Sequence, residues 1–329
     1  MKMDSDDPVI MPCKLSLKPW LTEQHKLLRV CFCAAKINPT TLMFDDFYQS
    51  VHVDEKWFFI TERELRFYIS PGEDISTRYC QNKDHILKVM FLCAVARPRY
   101  NEVGLCIFDG KLGMFPFIER IAAQRTSQNR PRGTIITTPV LVNKQRYRSF
   151  LIEKVVPSIK ANWPGRNRDI TIQQDGAGAH IDENDPAFVA VATAGVWRIK
   201  LQTQSPKSPD LNVLDLSIFR ALQSHQWRSG FANNIDELVE QVQRAYLDFE
   251  PQKLDFSFLT LQCCMDDVLS TYGNNDYKIR HMGKEAMLRG GILPVSIVPS
   301  TSALEVFHMM EGEVDENDGD IVENDETVA

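Results

Sequence analysis

An aspartate in the middle of a strand constrains this chain more than any other feature. Val51-His52-Val53-Asp54-Glu55-Lys56-Trp57-Phe58-Phe59-Ile60 is rich in β-branched and aromatic residues, the side chains that pack on a pleated, half-buried surface. A carboxylate inside such a segment is costly unless it is paired or binds a metal. Two other segments pose the same problem. Residues 169–174 read as a strand that stops at Asp175-Gly176-Ala177-Gly178, where the glycines let backbone or nucleic acid come close. Leu211-Asn212-Val213-Leu214-Asp215-Leu216-Ser217-Ile218-Phe219 reads as a helix. Its surroundings are so apolar that Asp215 does not fit a solvated face. A structural ion pair explains any one of these acids as well as a functional site does, but it explains all three together less well.

The chain around them alternates. The spacing of residues 15–35 predicts a helix interrupted by Pro19, and 64–70 a hairpin partner for the Asp54 strand. Residues 86–95 form an apolar run suited to a strand buried on both faces. The stretch 104–138 carries Gly and Pro breakers and room for one short strand. A helix follows over 145–160, which Pro157 should kink or end. Beyond the 169–174 strand come a short helix over 186–194, a strand over 196–201, and a helix over 211–227 opened by Asp210 as its N-cap. Ile235, Leu238, Val239, Val242 and Tyr246 make one apolar stripe, with Asn234 and Glu237 as a cap, and this stripe reads as core packing. Residues 252–269 supply one more helix. The order fits an α/β fold: a ribonuclease H-like mixed five-stranded sheet with helices on both faces. The expected divisions are a linker remnant at 1–48, the catalytic domain at 49–302 and an acidic disordered tail at 303–329.

Charge matters once it is located. The net charge is −7, but residues 311–329 hold nine acids and no lysine or arginine, which leaves the rest of the chain at +2. From Arg120 to Arg168 there are eleven basic residues and one acid, Glu153, a bias that suits a surface that meets a polyanion and, equally, a solvated loop. The longest apolar run, residues 89–96, is too short to span a bilayer, so no membrane partner is expected. The eight cysteines include no C-x-x-C pair and read as small buried thiols, Cys93 and Cys106 among them. The glycines at 104 and 110 lack the spacing and the Ser or Thr of a phosphate loop. Gly176 and Gly178 lack the third glycine of a dinucleotide fingerprint.

Three aspartates on successive elements suit phosphodiester chemistry, in which two hard cations about 4 Å apart stabilise the attacking and leaving oxygens. Carboxylates hold Mg²⁺ or Mn²⁺ and leave positions open for water and phosphate. The residues also carry a resemblance. Val51-His52-Val53-Asp54-Glu55-Lys56-Trp57-Phe58, then Ile172-Gln173-Gln174-Asp175 with His180, then Ser208-Pro209-Asp210-Leu211-Asn212-Val213-Leu214-Asp215 resemble the three catalytic blocks of mariner-type transposases. Between Asp175 and Asp215 lie 39 residues; that spacing, with aspartate third, is similar to the plant-like, triple-aspartate branch.

The resemblance implies a ribonuclease H-like fold and Asp54, Asp175 and Asp215 as catalytic residues and metal ligands for two Mg²⁺ or Mn²⁺ ions. It also implies hydrolytic nicking and strand transfer, with transposon terminal inverted repeats and target DNA as partners, a homodimer, and a nuclear location. Candidate DNA contacts are Lys56, Arg125, Arg130, Arg132, Lys144, Arg146, Arg148 and His180, although satisfied local hydrogen bonds are the better reading of Lys56 and His180. Two departures stand out. Gly176 replaces the asparagine usual after the second aspartate, which weakens the expected support of Asp175. Only 53 residues precede Asp54, too few for paired helix-turn-helix DNA readers, so the chain reads as N-terminally truncated. The competing readings are a catalytically inactive DNA-binding remnant and a host-adopted interaction protein.

Overall fold

In the computed structural model, which describes residues 17–61, 86–126, 130–228 and 230–319, β1 (Ser50–Phe59) is the central strand. β2 (Lys88–Ala96) pairs antiparallel with it and sets Cys93 opposite Asp54. β3 (Arg99–Tyr100) and β4 (Cys106–Phe108) form a small separate ribbon. β5 (Lys111–Pro116) runs antiparallel to β2 at the sheet edge. β6 (Ile118–Ala122) and β7 (Ile135–Pro139) pair with each other in a second ribbon. β8 (Asp169–Gln174) lies parallel to β1, and β9 (Arg198–Thr203) lies parallel to β8. The sheet order is β5-β2-β1-β8-β9, a mixed five-stranded sheet.

Helices cover both faces, as expected. Strand periodicity sorts β1 between them. Phe58 packs into one core with α1 (Glu23–Ala34), α5 (Phe219–Arg228), α6 (Ile235–Leu247), α7 (Pro251–Ser270) and α9 (Thr301–Gly319). Val51 and Val53 pack into the other, with α2 (Lys144–Phe150), α3 (Val156–Asn162) and α4 (Pro186–Ala192). α8 (Lys284–Arg289) is a short helix with no buried residue. Among the described residues no helix is long and apolar enough to cross a membrane.

The expected strands at β1, β2, β8 and β9 form, and Asn234 caps α6 by accepting from the Glu237 amide at 2.9 Å. Elsewhere the structure differs. The 104–138 stretch holds β4 to β7, including the third strand of the main sheet. Gly113 and Pro116 hide that strand in the sequence, and Tyr246 makes it possible. Its hydroxyl accepts from Gly113 N–H at 2.9 Å and donates to Ala94 O at 2.8 Å, bridging β5 to β2 beside a bulge at Ala94–Val95. Pro157 does not end the 145–160 helix. A π turn at Leu151–Val155 precedes it, and the helix continues as α3, since the wider turn absorbs the lost hydrogen bond.

The expected tail at 303–329 is corrected where α9 begins. Ala303, Val306 and Phe307 are buried in the core, so apolar packing outweighs the acidic composition there. The hairpin partner at 64–70 lies outside the described residues. Cys93 is buried but Cys106 only half so, and the six described cysteines are free thiols. The described part of the 1–48 segment, from residue 17 on, reaches into the body. Arg29, fully buried, donates through Nε to Gly273 O and holds Asp210 with both terminal nitrogens at 2.7 and 2.8 Å. Asp210 is therefore an ion-pair partner rather than an N-cap; the residue that accepts at that helix start is Asn212, from Leu214 N–H at 3.0 Å.

Candidate active site

β1 presents Asp54 on the face covered by the long helices, where it is 8% exposed. Glu55 N–H donates to its Oδ1 and Asn212 Nδ2 donates to its Oδ2, both at 2.7 Å. The chain leading to Asp215 is pinned to the neighbouring strand by Gln173, whose Nε2 donates to Leu211 O at 2.9 Å and to Gln204 Oε1 at 3.0 Å. A π turn at Leu214–Ile218 then buries Leu214 and Ile218 and turns Asp215 the other way. Asp215 is solvent-exposed, which corrects its reading as an acid without a solvated face; its carboxyl nevertheless hydrogen-bonds Asp54.

Two carboxyl groups in contact resist ionising together. Burial, then the charges of Asp215 and Glu55, drive Asp54 well above the usual carboxylate range, against the Glu55 amide. Asp215 is also raised: although the residue as a whole is exposed, its carboxyl loses hydration where it is crowded by its neighbours, and Asp175 adds to this, against the interaction with Asp54 and the charge of Lys56. An enclosed acid crowded by an open one, both raised, is the arrangement a cation would relieve.

Asp175 follows the last residue of β8 and behaves oppositely. Burial alone would raise it, but hydrogen bonds from His180 and from Ala177 N–H hold it below the usual range. His180 Nδ1 lies 2.8 Å from Asp175 Oδ1 and Nε2 lies 3.0 Å from Glu55. Burial works against its protonation, yet the Asp175 and Glu55 hydrogen bonds carry it up to about 10. The imidazole stacks on Tyr147, centroids 4.1 Å apart.

The donor chemistry fits a hard divalent cation, with oxygen donors on three adjoining elements and charges that act on one another. Asp54 and Asp215 stand together while Asp175 turns to His180. Among the described residues no group of three acids, histidines or cysteines already encloses a common point. A Cβ at Gly176 would meet Thr203 at an ordinary 3.7 Å, and one at Gly178 would meet nothing within 4 Å. The two glycines open space but are not required by packing, and Asp175 takes its support from Ala177 and His180.

The expected DNA contacts scatter. Lys56 lies over the Phe219 ring beside Asp215. His180 is inside the site. Arg125, Arg130 and Arg132 are exposed on the connection of the β6–β7 ribbon, and Lys144 is exposed at the start of α2. Arg146 and Arg148 are engaged elsewhere, with Glu119 at 2.8 Å and Asp185 at 2.6 Å. Sequence reasoning missed Glu55, Asn212 and Tyr147. The signal for Glu55 was present, since two consecutive acids in a strand must face opposite sides.

The same architecture occurs in solved structures. A pre-cleavage Mos1 transpososome aligns over 82% of this chain and 69% of that one, with TM-score 0.59 and 14% identity. The catalytic domain of Mos1 mariner transposase aligns over 80% of this chain and all of that one, with TM-score 0.51 and 13% identity. A Mos1 paired-end complex with the left transposon end aligns over 82% and 68%, with TM-score 0.56 and 14% identity. The fold is the ribonuclease H-like fold of the Mos1 catalytic domain. No family model and no curated protein matches the sequence.

Proposed function

We propose that this chain cuts and joins DNA as the catalytic domain of a mariner-type transposase, of the triple-aspartate, plant-like kind. The observation that carries this reading is the Asp54–Asp215 carboxyl pair, with Asp175 at the end of the adjacent parallel strand. Asp54, Asp175 and Asp215 would hold Mg²⁺ or Mn²⁺, two ions in all; solved Mos1 catalytic domains with each metal share the fold. The bound ions would supply Lewis-acid stabilisation of the attacking and leaving oxygens. The chain's own residues do the rest. Asn212 and the Glu55 amide orient Asp54, Gln173 fixes the segment that delivers Asp215, and Lys56 brings a positive charge beside it.

The partners proposed are transposon terminal repeats and target DNA, since the Mos1 structures of this fold include transposon-end and strand-transfer complexes. The exposed Arg125, Arg130 and Arg132 suit phosphate contacts. A homodimer working in the nucleus is part of the same proposal.

The test is Mn²⁺-dependent cleavage of terminal-repeat DNA by wild type and by Asp54→Ala, Asp175→Ala and Asp215→Ala. Each variant should stay folded and lose cleavage. Full activity in any one refutes the site. Salt-sensitive binding without cleavage under either metal would leave the inactive DNA-binding remnant as the reading.

A further inference from the structure

We infer that His180 and Glu55 form a positioning unit for Asp175; this rests on the reading of Asp175 as a metal ligand. Asp175 lies just past the last residue of β8, where no ladder hydrogen bond fixes it, and its side chain is 39% exposed. Without restraint it would sample several rotamers. Two donors restrain it, and both fall on one oxygen. Ala177 N–H donates to Oδ1 at 2.9 Å, and His180 Nδ1 stands 2.8 Å from that atom and 2.8 Å from the Asp175 backbone oxygen, so the imidazole grips both the side chain and the backbone of the residue. That leaves Oδ2 as the oxygen for a cation.

The imidazole is itself held on two sides. Its Nε2 reaches both Glu55 oxygens, at 3.0 and 3.1 Å. Its face lies on the Tyr147 ring at 17°. Tyr147 Oη donates to Gln174 Oε1 at 3.1 Å, and Gln174 Nε2 donates to Ile181 O at 2.7 Å, closing the support around the turn. His180 and Glu55 are both nearly buried, with side chains 4% and 10% exposed, so little freedom remains. Strand alternation gives the arrangement its economy. β1 sends Asp54 to one face as a ligand and the next residue, Glu55, to the other as the anchor of a second ligand's support. A single rigid strand thereby sets two of the three carboxylates.

Two substitutions separate the halves of the unit. His180→Asn places its amide near the Nδ1 position, where it can still donate to Asp175 but cannot reach Glu55. His180→Gln reaches toward Glu55 and abandons Asp175. Mn²⁺ affinity of the full chain is read by calorimetry with nicked DNA present, beside kcat, KM for DNA and the melting temperature. His180→Gln is expected to weaken Mn²⁺ binding roughly 10- to 100-fold, the range for lost support around a ligand, and to lower kcat with KM for DNA unchanged. His180→Asn should stay within about threefold of wild type, because the bond to the ligand persists. Equal losses in the two variants, or wild-type affinity in folded His180→Gln, overturn the inference and leave the metal site standing. Should His180→Gln not fold, Glu55→Gln replaces it, with a loss of roughly three- to tenfold expected and unchanged affinity overturning. No Mn²⁺ binding to wild type even with nicked DNA removes the ligand reading and this inference with it.

Discussion

Replacing Asp54 by asparagine should stabilise the metal-free protein at neutral pH while removing its response to Mn²⁺. Asp54 is enclosed and crowded by Asp215 and Glu55, so the fold keeps it protonated where the unfolded chain would ionise it. At about 1.4 kcal/mol per pH unit, holding that proton at pH 7 against an unfolded-state pKa near 4 costs about 4 kcal/mol, which is the most the substitution can return. Asparagine has one acceptor oxygen where Asp54 uses two, for Glu55 N–H and for Asn212. Losing one of those bonds takes back about 1 kcal/mol. Rearrangement takes more, so a gain of about 1–3 kcal/mol is expected, or roughly 2–6 °C in melting temperature for a chain of this size.

The pH dependence follows from the sign of the shift. A carboxyl raised on folding favours the folded state below the unfolded pKa, near 4, and loses stability as pH climbs toward the folded value. The advantage of the variant should therefore shrink between pH 7.5 and pH 5.5 in urea denaturation with chelator present. Excess Mn²⁺, at about 100 times its Kd, should raise wild-type stability by about 2.7 kcal/mol and leave the variant unmoved. A variant no more stable than wild type at pH 7.5, with a gap that does not change with pH, would refute the account of a strained carboxyl pair.

Other predictions follow from the packing. Arg29→Met should cost about 3–5 kcal/mol by leaving Asp210 without its cation. Adding Asp210→Asn should recover at least half of that in thermal unfolding. Because Arg29 holds Asp210 below the usual range against the effect of burial, this pair's contribution should be complete above about pH 4 and decline as acid carries the protein through the lower folded-state pKa. Tyr246→Phe should cost about 1–3 kcal/mol in urea denaturation, since Gly113 N–H would lose its acceptor between β2 and β5. Gly273→Ala should cost more than about 2 kcal/mol, and Gly104→Ala only about 1, measured side by side. Both glycines have positive φ, but only at Gly273 would a Cβ meet backbone, Lys26 O at 2.2 Å.

Local pattern carried the elements whose burial is one-sided or complete. The β-branched run around Asp54, the strand ending at Gln174, the α6 stripe and the Asn234 cap all form where the residues place them, because periodicity reports which face meets the core. It also placed the three aspartates on their elements. It did not place β5, whose Gly113 and Pro116 argue against a strand until β2 offers an edge and Tyr246 bridges the bulge. Nor did it show that Asp215 faces solvent, that Arg29 answers Asp210 across 181 positions, or that His180 links Asp175 to Glu55 across 125. Periodicity fixes whether a side chain turns inward or outward, whereas the identity of its partner depends on which distant segments chain closure brings together. By itself the sequence determined which elements carry or adjoin the three acids. Only the tertiary structure decided that two of them crowd one another while the third is held by a histidine.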